Sequence, residues 1–193
     1  NSLLDAIFVP PNQELISELM SDLESFLHKQ AILITALIKI AIAHYQFETI
    51  HPFLDGNGRI GRLLIPLFLV DQKILEKPLL YISAFFEKDK SLYYENLTRV
   101  RTKSDMTQWL KYFLVGILDT SENAIETLNR VLSLKSRLEE EMATTFGKRS
   151  QKANLLLQYL FEKPIVHVNQ VKELTNSSFK AANDLVNSFV EAG

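Results

Sequence analysis

Apolar residues recur at helical spacing along most of this chain. Leu15, Leu19, Leu23, Phe26 and Leu27 share one face, and Asn12 before them is a natural N-cap with Glu14 in the first turn. From Ala31 to about Glu48 the sequence is apolar nearly all round, which predicts a central, buried helix. Residues 49–56 carry Pro52 and Gly56 and read as a loop. A third helix is expected from about Asn57 to Gln72, with Pro66 kinking it or freeing one carbonyl. Helical patterns resume at about 80–87, 89–102 and 105–119. A longer amphipathic stretch, 120–145, repeats Ile125, Leu128, Val131, Leu132, Leu134 and Leu138 with its charges opposite. The polar segment 144–153, containing Gly147, reads as a linker. Residues 155–161, 171–174 and 179–190 give three short helical patterns. Only residues 3–9 suggest a strand, closed by Pro10 and Pro11. The fold class this predicts is all-α.

Composition narrows the field. At 193 residues the chain can hold one good-sized core and a small second module. Hydrophobic residues make up 47%, which places it among globular chains rather than disordered ones. The formal net charge of −2 gives no overall basic signal for nucleic acid or anionic membrane. With no cysteine, disulfide frameworks, thiolate zinc sites and cysteine nucleophiles are excluded, and a reducing compartment is compatible. The apolar run from Ala31 to Ala43 is too short to span a bilayer and contains Lys39. Because the sequence opens at Asn1 and stops at Gly193 in mid-pattern, it reads as a fragment.

The chemistry is concentrated in His51-Pro52-Phe53-Leu54-Asp55-Gly56-Asn57-Gly58-Arg59-Ile60-Gly61-Arg62. The first N–H groups of a helix lack internal partners and lie at the positive end of its dipole, so a helix beginning at residues 56–58 is a ready anion site. Gly56 and Gly58 let a phosphate approach the backbone without a Cβ in the way. Arg59 and Arg62, three apart, add bidentate donors suited to a polyphosphate. Asn57 can donate to a phosphate oxygen and cap the helix. A carboxylate beside such a cradle would repel the ligand unless a hard cation lay between them, which points to Mg²⁺ on Asp55. His51 is the one group here able to accept a proton near neutral pH. Base, magnesium ligand and polyphosphate cradle together indicate nucleotidyl or phosphoryl transfer to a hydroxyl. Taken singly, a Gly-x-Gly or an arginine pair is usually a turn or a solvated face. It is the combination in this order that carries the reading.

Residues 51–62 match the Fic signature, His-Pro-Phe-x-Asp-Gly-Asn-Gly-Arg-x-Gly-Arg, without departure, and the chain resembles the Fic family over roughly residues 6–115. That resemblance implies an AMP transferase, moving AMP from ATP to a Ser, Thr or Tyr hydroxyl of a target protein and releasing pyrophosphate. It implies His51 as general base, Asp55 as the Mg²⁺ ligand, the 56–58 backbone with Asn57 on the inner phosphates, and Arg59 and Arg62 on the outer ones. Gly61 is carried over with this nucleotide-binding set. Relatives that act as kinases carry Lys at the position of Gly58, so Gly58 favours AMP transfer. Residues 6–11 resemble the second strand of the family's flap hairpin, which aligns the target's backbone by strand addition. Tyr94 resembles the second member of a Tyr pair that lines the adenine pocket. His28, His44 and His167 are expected to be structural or exposed. Ser136–Glu140 has the spacing of the family's inhibitory Ser/Thr-x-x-x-Glu helix, but Glu141 follows where Gly or Asn is wanted. The inhibitory segment is therefore expected upstream or on a partner.

The expected organisation is a catalytic domain over residues 1–118, a linker helix over 119–146 and a truncated module over 150–193 that resembles the start of a winged helix. Its third helix offers only Lys180 against Asp184 and Glu191, so protein contact is favoured over DNA binding. A cytoplasmic location, no membrane association and a homodimer as one oligomeric option complete the expectations. Two competing readings stay open. One is a DNA-binding regulator whose Fic domain only senses nucleotide. The other is an enzyme of this family transferring a different phosphate-linked group.

Overall fold

A computed structural model describes residues 8–29 and 34–192. Among these residues the chain is all-α, with no strand. Of the stretch expected to form the flap strand, residues 6–7 lie outside the described residues, as does most of 3–9, and Phe8–Pro11 are irregular. The chain divides into two compact units, Asn1–Ile125 and Glu126–Gly193, each with its own core.

In the first unit, α1 spans Gln13–His28, and the Asn12 side chain accepts from the Glu14 N–H at 3.4 Å as a cap should. The second helix, α2, runs over Ala36–Ile50, starting later than its apolar pattern suggests and continuing two residues past Glu48. Its apolar circumference has the expected consequence: Ile40, Ala41, Ala43, Phe47 and Ile50 are all buried. Helix α3 covers Asn57–Asp71 and continues through Pro66. Proline there has no N–H to bond the Arg62 carbonyl, so the ladder loses one rung without ending. Short α4 (Ser83–Lys88) and α5 (Lys90–Lys103) follow. Asp89 caps α5 by accepting from the Leu92 N–H at 2.9 Å. Helix α2 packs against both α1 and α3. Behind it, Phe86, Tyr93, Trp109 and Phe113 form an aromatic core around His44. The Trp109 indole N–H donates to the Ala41 carbonyl at 2.9 Å, so the largest buried side chain leaves no polar atom unpaired.

Two expectations are corrected here. The patterns at 105–119 and 120–145 are one continuous helix, α6 (Met106–Thr145). Between them lie no proline and only Gly116, and polar residues such as Ser121 bond back to the preceding turn, here the Ile117 carbonyl at 2.7 Å. The polar segment 144–153 is not an open linker either. Gly147, in the left-handed region at φ +47°, opens a single 3₁₀ turn, and α7 begins at Ser150. Helices α7 (Ser150–Glu162), α8 (Val168–Leu174) and α9 (Phe179–Ala192) enclose the second core, built on Ala153, Leu156, Leu157, Val171, Ala182 and Leu185.

Candidate active site

The candidate site is the junction between α2 and α3. His51 caps α2 in the left-handed conformation (φ 52°, ψ 57°), its N–H held by the Phe47 carbonyl at 3.0 Å. That conformation is uncommon for a residue with a Cβ, and here it turns the chain abruptly out of the helix. The imidazole is half-buried, its ring meeting the edge of Phe8 at 6.4 Å between centroids.

The loop is then locked from below. Asn57 is buried, and its amide clasps the Phe53 backbone twice: Oδ1 accepts from the Phe53 N–H at 2.9 Å, and Nδ2 donates to the Phe53 carbonyl at 2.6 Å. One expectation is corrected: Gly56, not Asn57, is the N-cap of α3, and no side chain caps that end. The Asn57 amide shapes the loop, because a buried amide takes the partners that satisfy it. Gly56 sits at φ +88°, a conformation that L side chains rarely adopt. The first-turn N–H groups of α3 remain without intrahelical acceptors at the positive end of its dipole.

Around that end the charges are arranged unevenly. Asp55 and Arg59 form an ion pair at 2.9 Å with side chains 90% and 73% exposed. Arg62 is more enclosed and pairs with Glu87 at 3.6 Å. It lines a small cavity of about 120 Å³ with Phe86, Glu87, Lys90, Tyr93 and Tyr94. Of the two tyrosines, Tyr93 belongs to the core while Tyr94 is 59% exposed. A larger groove of about 490 Å³ between α1 and α3 is lined mainly by Met20, Leu23, Leu27, Phe47, Ile60 and Leu64. It offers no cation for phosphate.

Gly61 lies where α3 approaches α2. It is buried, and a Cβ there would collide with Glu48 Oε1 and stand 3.0 Å from Phe47 Cδ1. Its place in the signature is explained by the close approach of α3 to α2. Gly58 differs: a Cβ there would meet Arg62 Nη1 at 3.0 Å, crowding a phosphate-type donor at the open end.

Two residues outside the signature hold it from beneath. His44 is fully buried and packs against both Phe86 and Trp109, at centroid separations of 5.7 and 5.9 Å. Nδ1 lies 2.8 Å from the Gly61 carbonyl and Nε2 3.0 Å from the Tyr93 hydroxyl. A carbonyl can only accept, so Nδ1 carries the proton and Nε2 accepts from Tyr93. Burial pushes the imidazole down to about 4, with the Gly61 bond working against it and the nearby Arg62 with it. The second residue is Glu48, whose carboxylate is buried under Gly58 and Gly61. Sequence reasoning expected His44 to be structural or exposed, and it is structural, but it passed over Glu48. The available signal was a histidine and a glutamate inside a helix otherwise apolar all round.

Residues 3–69 match the Fic/DOC family. The chain is 33% identical over 136 residues to a probable protein adenylyltransferase of Aquifex aeolicus, covering 65% of this chain and 41% of that protein. It is 32% identical over 119 residues to the protein adenylyltransferase Fic of Aedes aegypti, covering 61% and 22%. The chain thus spans less than half the length of these relatives. Among solved structures, a Fic family protein from Desulfovibrio desulfuricans G20 superposes with a TM-score of 0.56 at 32% identity, over 61% of this chain and 35% of that one. Signature, helix junction and relatives agree in their likeness to the Fic/DOC family, whose match covers residues 3–69.

Proposed function

We propose that this domain is a protein adenylyltransferase, transferring AMP from ATP to a Ser, Thr or Tyr hydroxyl of a target protein. The observation that carries the reading is the α2–α3 junction. There a half-buried imidazole at the end of one helix stands beside the unpaired first-turn N–H groups and two arginines of the next. The relatives named as protein adenylyltransferases support it.

In this mechanism His51 accepts the proton of the incoming hydroxyl. The hydroxyl oxygen attacks the α-phosphorus in line with the departing pyrophosphate. The backbone N–H groups at residues 56–58 stabilise charge on the inner phosphates, and Arg59 and Arg62 do so on the outer ones. Tyr94, exposed beside Arg62 in the same cavity, is placed to face the adenine.

The donor set fits Mg²⁺. Asp55 supplies a hard, 90% exposed carboxylate next to the phosphate-binding turn, and Mg²⁺ takes one or two carboxylates with the rest of its ligands from phosphate and water. No group of three acidic or histidine side chains able to cage a metal lies among the described residues, so Asp55 would hold the ion together with the nucleotide. When bound, Mg²⁺ neutralises charge on the phosphate oxygens.

The same reading includes a cytoplasmic location, compatible with the absence of cysteine. It also includes an inhibitory segment upstream or on a partner, and a protein-contact role for residues 150–193. Incubation with α-labelled ATP and Mg²⁺ tests it. Label should become covalently attached to protein and be lost in His51→Ala, whereas equal labelling by that variant would remove His51 from the chemistry.

A further inference from the structure

Three buried polar atoms without hydrogen-bond partners among the described residues share one electrostatic neighbourhood: Glu48 Oε1, Arg62 Nε and Arg101 Nε. Glu48 lies on α2, Arg62 on α3 and Arg101 on α5. Both Glu48 Oε1 and Arg62 Nη1 stand within 4.0 Å of the point where a Cβ on Gly58 would be. Such atoms are costly to bury unless something offsets them. Here the offset is mutual: one carboxylate faces two guanidiniums across three packed helices.

We propose that Glu48 is the positioning residue of the phosphate cradle, the buried counter-charge that holds Arg62 beneath the first turn of α3. Its Oε1 is wedged against Gly61 and near Gly58, so it reaches the cradle from the α2 side. Glu87 takes Arg62 Nη2 at 3.6 Å from the outer side and is half-exposed, so phosphate can displace it. Glu48 is buried and cannot be displaced in that way. Arg101 completes the arrangement. Its guanidinium lies 3.7 Å over the Phe8 ring, and Phe8 in turn meets His51. Glu48 therefore lies in the field of one arginine on the phosphate side and of another, Arg101, that covers Phe8 on the base side.

The charged and titratable groups that act on Glu48 are Arg62 from α3 and Arg101 and Tyr93 from α5. Burial pushes the carboxyl up, and the two guanidiniums pull it back.

This inference rests on Arg62 acting at the phosphates, and its test separates the two claims. Initial rates of AMP labelling from α-labelled ATP are measured for the whole chain as wild type, Glu48→Gln, Arg62→Ala and the double variant. Thermal melts normalise each rate to folded protein. Glu48→Gln should lower kcat about tenfold while KM for ATP stays within about threefold, the signature of an interaction made in the transition state. In the Arg62→Ala background the same change should cost less than about twofold, because residues acting through one another are not additive. Glu48→Asp keeps the charge and should retain most of the rate. Wild-type kcat in Glu48→Gln, full additivity in the double variant, or equal losses for Asp and Gln would each overturn the role of Glu48 alone. Unchanged ATP use in Arg62→Ala would overturn it together with the phosphate role of Arg62.

Discussion

His44 makes stability depend on pH in a calculable way. Its imidazole would titrate near 6.5 in the unfolded chain and titrates at about 4 in the fold, where burial against Phe86 and Trp109 disfavours its charge. A depressed base binds fewer protons folded than unfolded between those two values, so stability falls as pH drops from 6.5 to 4 and levels below. At about 1.4 kcal/mol per tenfold change, the full window is worth about 3 kcal/mol, of which about 2 kcal/mol is lost by pH 5. That is a large part of the stability of a typical domain. Glu48 acts with the opposite sign: its carboxyl is raised, so its contribution is present at low pH and lost as pH rises through the raised value. Comparing wild type with His44→Gln cancels that contribution to first order. The variant keeps an amide donor for the Gly61 carbonyl but cannot titrate. Urea melts at pH 7, 6, 5 and 4.5 should show wild type losing about 2 kcal/mol more than His44→Gln between pH 7 and pH 5. Parallel pH profiles for the two proteins would refute a neutral, buried His44.

Gly61→Ala should behave as a packing mutant. Overpacking against Glu48 and Phe47 costs about 1–3 kcal/mol, offset by about 1 kcal/mol of helix propensity. Urea melts should therefore show a net loss near 1–2 kcal/mol, with KM for ATP unchanged in the folded protein. Asp55→Asn should do the reverse. Its pair with Arg59 is exposed, so stability should move by less than about 0.5 kcal/mol, while the Mg²⁺ concentration needed for half-maximal labelling rises.

What could be read from sequence follows the physics of each signal. The apolar circumference of α2 and the cap at Asn12 are local, and both appear in the structure. The patterns at 105–119 and 120–145 read as separate stretches, but a helix continues wherever nothing stops it, and α6 does so for 40 residues. Within the signature, residue types announced phosphate chemistry, yet they could not separate ligand-facing positions from supporting ones. Gly61 and Gly58 look alike in sequence. Only the packing shows that a Cβ on Gly61 would collide with Glu48 and Phe47, while one on Gly58 would crowd Arg62 first. Asn57 looks like a cap until its amide is seen on the Phe53 backbone. His44 and Glu48 depend on partners such as Tyr93 and Arg101, about fifty residues along the chain, and no local pattern encodes such pairings.

The central claim is that this junction transfers an adenylyl group to a protein hydroxyl. The mass of the adduct formed with ATP and Mg²⁺ tests it most directly. An added adenosine monophosphate, absent in His51→Ala, is the result predicted here. An added phosphate alone, or an adduct that persists without His51, would contradict it.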